Sequence, residues 1–132
     1  MGLDNGVCII RNEYTHNIPE LKCFELDYDK EHKYDFEAAY WRKCWGLRND
    51  VLYLLGKSCT DEGELHLTKG DVDHIIELLQ SYNSDNWEDS IWDWDDEEWP
   101  YSEKIKDDIE SLKVLRGLMD KYELEVCFYD SY

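Results

Sequence analysis

Apolar and polar positions divide this chain into seven elements by their spacing. Residues 7–10 (Val7, Cys8, Ile9, Ile10) form a short β-branched run behind Asn5-Gly6 and predict a strand. Residues 21–26 alternate, with Leu21, Cys23 and Glu25 towards one side and Phe24 and Leu26 towards the other, and predict a second, weaker strand. The charged stretch 28–34 reads as a loop. A helix is then expected from a cap at Asp35 to about Leu55, because Phe36, Tyr40, Cys44, Leu47, Val51 and Leu54 recur at helical spacing and Gly56 follows as a stop.

The second half reads more plainly. A turn over 58–63 leads into a short strand at 64–67. Thr68, with Asp71 three residues on, is an N-cap for a helix over 69–82 that carries Val72, Ile75, Ile76, Leu79 and Tyr82 on one face. Pro100 and Ser102 open a third helix to about Tyr122, with Ile105, Ile109, Leu112, Leu115, Met119 and Tyr122 as its stripe. Residues 124–129 alternate again as a terminal strand. The order β-β-α-β-α-α-β predicts an α+β fold, a small and mostly antiparallel sheet with about three helices packed on it. Pairing of strand 7–10 with residues 126–129 is expected to join the two ends. No internal repeat and no linker divides residues 1–132, so a single domain is expected.

Charge changes this picture in one place. The segment 85–100, DNWEDSIWDWDDEEWP, holds eight carboxylates and four tryptophans with no basic residue. Its rings are costly to leave in water and its acids costly to bury, so it must fold rings-inward or lie against a partner. The whole chain carries a formal charge of −18. Residues 1–66 hold 13 acids against 8 bases, and residues 67–132 hold 19 against 6. Such a field repels nucleic acid and anionic membranes and suits a basic protein surface. Ten Tyr and six Trp set the chain apart from a disordered acidic tail.

Reaction chemistry is poorly marked. Cys8, Cys23, Cys44, Cys59 and Cys127 are scattered, with no CxxC and no zinc-finger spacing. Cys8, Cys23 and Cys127 read as small buried hydrophobes, and no structural disulfide is expected. His74 stands beside Asp71 and Asp73, a pairing more often a surface salt bridge than a catalytic dyad. There is no phosphate-binding glycine loop, GxSxG or HExxH. No catalytic residue, cofactor or metal ligand is therefore assigned, and the reading leans away from an enzyme. The start MGLDNGVCIIRN has neither a basic leader nor a long apolar run, so no membrane association and a cytoplasmic protein are expected.

Two surfaces remain as binding candidates. On the expected first helix, Trp41, Trp45 and Arg48 follow at near i+4 spacing beside Arg42 and Lys43. Such a face suits an anion, a nucleotide or a partner's acidic segment, with rings stacking and Arg42, Lys43 or Arg48 meeting phosphate. The competing reading has the rings widening the core and the bases pairing with the protein's own acids, and in a chain this acidic it carries more weight. One version of it has Arg42, Lys43 or Arg48 neutralising part of the acidic segment.

In that segment Asp93, Asp95 and Glu97 alternate as calcium-loop ligands do, but the turn glycine and terminal Glu position are missing. A row of carboxylates mimicking DNA phosphate is a further reading. A solvated loop pinned by its tryptophans is the simplest.

The layout resembles a group of small bacteriophage and prophage proteins for which no activity is established. These begin MGLD, carry a YWRK-type motif at the start of a helix and end in an aromatic-rich strand. The matching residues are Met1-Gly2-Leu3-Asp4, Tyr40-Trp41-Arg42-Lys43 and Val126-Cys127-Phe128-Tyr129. The middle departs, since those proteins often carry a glycine- and phenylalanine-rich loop where this chain has the acidic segment. The resemblance implies a phage context, in which small acidic proteins often inhibit host enzymes or immune systems.

Together these features lead to the expectation of a non-enzymatic phage-type protein without cofactor. It would dock Glu88, Asp89, Trp92, Asp93, Trp94, Asp95, Asp96, Glu97 and Glu98 onto a basic surface of a host protein, a nucleic-acid-binding or defence protein, as a DNA mimic or anti-defence inhibitor. The alternative is a small-ligand or nucleotide-binding domain built on Trp41, Arg42, Trp45 and Arg48.

Overall fold

The computed structural model describes residues 4–10, 15–24, 36–42, 45–57, 63–82 and 101–131, with the backbone alone at 4, 16, 42, 45, 101–104 and 131. Four strands form one antiparallel sheet: β1 (Asp4–Ile9), β2 (Phe36–Arg42), β3 (Glu64–Leu67) and β4 (Val126–Ser131), in the spatial order β2-β1-β4-β3. Three helices accompany it: α1 (Trp45–Leu54), α2 (Lys69–Ser81) and α3 (Tyr101–Lys121). The fold is α+β, as the spacing predicts.

The two central strands come from opposite ends of the described chain. Val7 faces Phe128, Cys8 faces Cys127 and Ile9 faces Val126, the pairing expected from the sequence. Val7, Ile9, Val126 and Phe128 point to one face, where Leu21, Leu47, Val51, Val72, Ile75, Leu79, Leu112 and Leu115 join them in a single buried cluster. The helices thus cover that face of the sheet.

Two elements differ from expectation. The described part of the strand expected over 21–26 is instead a 3-10 helix, Pro19–Phe24, and residues 25 and 26 lie outside the described residues. With three residues per turn, Leu21 and Phe24 share a face, and both are buried. Cys23, which a strand would have placed beside Leu21, is exposed, contrary to its reading as a buried hydrophobe.

The helix expected over 35–55 starts ten residues late, at Trp45, and its first part is strand β2 instead. The cause is a β-bulge. Val7 faces Ala39 but Cys8 faces Glu37, so Ala38 is an extra residue. Phe36, Ala39 and Trp41 therefore face Ile9, Val7 and Asn5 on the core side. A first spacing of three in place of two imitates a helical period, and the Ala-Ala pair favours helix locally. The Tyr40-Trp41-Arg42 portion of the YWRK-type motif accordingly ends a strand rather than starting a helix.

The later elements match. Thr68 caps α2 with a full capping box: its hydroxyl accepts from the Asp71 amide at 3.1 Å, and its own amide donates to Asp71 Oδ2 at 2.9 Å. The α3 stripe is buried at Ile105, Leu112, Leu115 and Met119, with Leu118 added. Among the described residues no helix is long and apolar enough to cross a membrane.

Candidate functional site

The sheet has two chemically distinct faces, and each gathers polar side chains. On the core side one cross-strand row runs Trp41, Asn5, Asp130 across β2, β1 and β4. Trp41 is fully buried, and its indole Nε1 donates to Asp108 Oδ2 of α3 at 2.9 Å. The Asn5 amide nitrogen donates to the Trp41 carbonyl at 3.3 Å, while Asn5 Oδ1 is buried with no hydrogen-bond partner among the described residues. At the far end Arg48 of α1 reaches back to Asp130, Nε to Oδ2 at 2.6 Å, with both side chains almost completely buried. A buried ion pair of this kind is sensitive to loss of either member.

Trp41 and Arg48, expected on one helical face, are thus brought to opposite ends of one row across the sheet. The continuous face of Trp41, Arg42, Trp45 and Arg48 does not form, because the first two lie on β2 and the last two on α1. Both side chains with described partners serve to fasten helices to the sheet. The acidic-segment residues Glu88, Asp89, Trp92, Asp93, Trp94, Asp95, Asp96, Glu97 and Glu98 lie outside the described residues, as do Lys43, Cys44 and Cys59.

The opposite face carries Gly6, Cys8, Cys127, Tyr129, Glu37, Tyr40, Glu64 and His66, by strand alternation and register. The Tyr129 hydroxyl donates to Glu37 Oε2 at 2.5 Å, bridging β4 to β2 over the narrow strand between them. Burial pushes the Tyr129 phenol well above its usual range, and the Glu37 carboxylate adds to that shift. Gly6 makes the crossing feasible. A Cβ there would stand 2.2 Å from the Ala39 carbonyl oxygen and 3.2 Å from Tyr129 Cε1.

Next to this bridge, Glu64, His66 and Cys127 bring one carboxylate oxygen, one imidazole nitrogen and one sulfur within 4.8 Å of one another. Sequence spacing gave no warning of this group, because Cys127 arrives from the far end of the chain. The available signal was Glu-x-His on a strand, two side chains on one side.

His74 is exposed, and the acids beside it are otherwise engaged: Asp71 in the α2 cap and Asp73 with Arg116 at 3.0 Å. Four cations of α2 and α3 are similarly engaged with the protein's own acids. Lys69 meets Asp120, Arg116 meets both Asp73 and Asp120, Lys113 meets Glu110 and Lys121 meets Glu20. Hydrogen bonds from Arg116 and then Lys69 hold Asp120 below the usual carboxylate range.

The chain matches no protein-family model, no curated protein and no solved structure.

Proposed function

We propose that this chain is a non-enzymatic acidic binding protein that docks a negative, tryptophan-containing face, residues 88–98, onto a basic surface of a host protein. The observation that carries the reading is the charge distribution. The half from residue 67 onward holds 19 acids against 6 bases. Four of those bases, Lys69, Lys113, Arg116 and Lys121, are ion-paired with the protein's own acids. Glu77, Asp107, Glu110, Glu123 and Glu125 are meanwhile exposed on or beside α2 and α3. The half from residue 67 onward therefore carries a strongly negative charge, which favours long-range attraction to a basic surface. Tryptophans set within that charge are suitable anchors, since buried rings supply affinity while charge supplies association rate.

The partner of matching chemistry is a protein with a phosphate-binding face, which makes a nucleic-acid-handling or defence protein of a phage host the first candidate, and the host cytoplasm the place of action. A variant with Asp93, Asp95, Asp96, Glu97 and Glu98 all replaced by Lys tests this. The reading expects an unchanged circular dichroism spectrum and loss of the partner that the unaltered chain captures. Retention of that partner by the variant would remove the reading. Capture that is lost when duplex DNA is added would identify the mimicked ligand as phosphate backbone.

A further inference from the structure

The face of the sheet opposite the described helices holds a group whose chemistry is unrelated to surface charge. Glu64 and His66 stand two residues apart on β3, so both side chains leave the same side of the strand. His66 faces Cys127 directly across the β3–β4 ladder. The Asp130 amide donates to the Gly63 carbonyl at 2.9 Å, which fixes the alternation of the ladder. Counting from there, His66 and Cys127 form a non-hydrogen-bonded pair, the kind in which facing side chains approach most closely. Glu64 is the diagonal neighbour on the same face. The three ligand atoms lie within 4.8 Å of one another.

We propose that Glu64, His66 and Cys127 form a binding site for a zinc-class divalent cation. Thiolate, imidazole and carboxylate together are a ligand set that zinc accepts in tetrahedral geometry, with bonds of about 2.0–2.3 Å. Those bond lengths place tetrahedral ligands roughly 3.3–3.8 Å apart, so small side-chain rotations close the observed group around one ion. Magnesium and calcium do not fit, because they take oxygen ligands in greater number. The burial is graded as such a site requires. Cys127 is fully buried, Glu64 is half-buried and His66 is exposed. Three ligands from the described residues are one short of a tetrahedral set, which leaves a fourth position for a further ligand or solvent.

The surroundings fit as well. The Cys8 sulfur is directed to the Cys127 carbonyl at 3.6 Å, and among the described residues three side chains supply the converging ligand atoms. The thiol must lose its proton to ligate the cation. Binding therefore releases the thiol proton to solvent, and affinity rises with pH.

Cobalt(II) titration of the reduced, tag-free full chain tests this, with excess Mg2+ present to occupy surface carboxylates. One equivalent of cobalt is expected to give a near-ultraviolet sulfur-to-cobalt absorption and intense visible bands of tetrahedral type, both bleached by Zn2+. His66→Ala and Glu64→Gln are each expected to weaken binding by about tenfold or more with the fold retained, since His66 is exposed. Cys127→Ser removes the ultraviolet band. Should that buried variant fail to fold, the two others still decide the matter. No sulfur–cobalt absorption in the unaltered chain would overturn the site. So would an undiminished affinity in both His66→Ala and Glu64→Gln, which would assign the metal to other cysteines.

Discussion

Trp41 and Asp108 meet inside the core, indole Nε1 to carboxylate Oδ2 at 2.9 Å, and thereby tie an edge of the sheet to the longest helix. Neither residue has an exposed surface with which to serve a ligand directly. Trp41→Phe is expected to cost about 2–4 kcal/mol, because it empties volume and strips Asp108 of a donor. Asp108→Asn should cost about 1–2 kcal/mol. Urea denaturation of both variants and the double variant checks the coupling, which is expected to be non-additive by at least about 0.5 kcal/mol.

The Arg48–Asp130 pair, at 2.6 Å, fastens α1 to β4. Removing one partner leaves a buried charge, so Asp130→Ala is expected to destabilise by about 3–5 kcal/mol. Replacing both, as Arg48→Met with Asp130→Leu, should recover much of that loss. Thermal unfolding of the three variants distinguishes this from a merely additive effect.

Gly6 has no room for a side chain, its Cβ position being 2.2 Å from the Ala39 carbonyl oxygen. Gly6→Ala must separate β1 from β2 and is expected to cost about 3 kcal/mol, at the upper end for overpacking. Thr68→Ala, which removes the α2 cap, should cost only about 1 kcal/mol. Chemical denaturation ranks the two.

Glu20 gives the acid limb of stability a defined component. Hydrogen bonds from Lys121 first, and then from Tyr122, hold its carboxyl below the ordinary 4.5. A lowered folded-state value stabilises the protein above the unfolded value, and the contribution disappears as pH falls through the folded one. The unaltered chain should therefore melt above Glu20→Gln by a constant small margin from about pH 5 to pH 7, shrinking at lower pH. The Glu20 side chain is half-buried and that of Lys121 is exposed, so salt should narrow the margin. Calorimetry across that range measures it.

What could be read from the sequence depended on whether local spacing and final packing agreed. In α2 they agree throughout: Thr68 and Asp71 make the cap, and Val72, Ile75, Ile76 and Leu79 all reach the core. The β1–β4 pairing was legible because each strand has an apolar run bounded by polar residues. β2 was not, because the bulge at Ala38 broke its alternation into a helix-like spacing. Leu21 and Phe24 misled in the reverse direction, since a 3-10 turn offers too few residues to set a period. The Trp41, Arg42, Trp45 and Arg48 face depended on the helix that β2 interrupts. Glu64, His66 and Cys127 are joined only by strand register, and short-range spacing carries no trace of that.

Docking through charge can be decided by a capture experiment at two ionic strengths. The tagged chain would be incubated with bacterial lysate at about 0.1 M and about 0.5 M salt, a span over which screening shortens markedly. Bound proteins would be identified by mass spectrometry. Enrichment of one protein with a basic, phosphate-binding face at the lower salt, lost at the higher and lost with the 93–98 charge-reversed chain, is the predicted result. The absence of any partner that depends on both salt and those five acids would contradict the account.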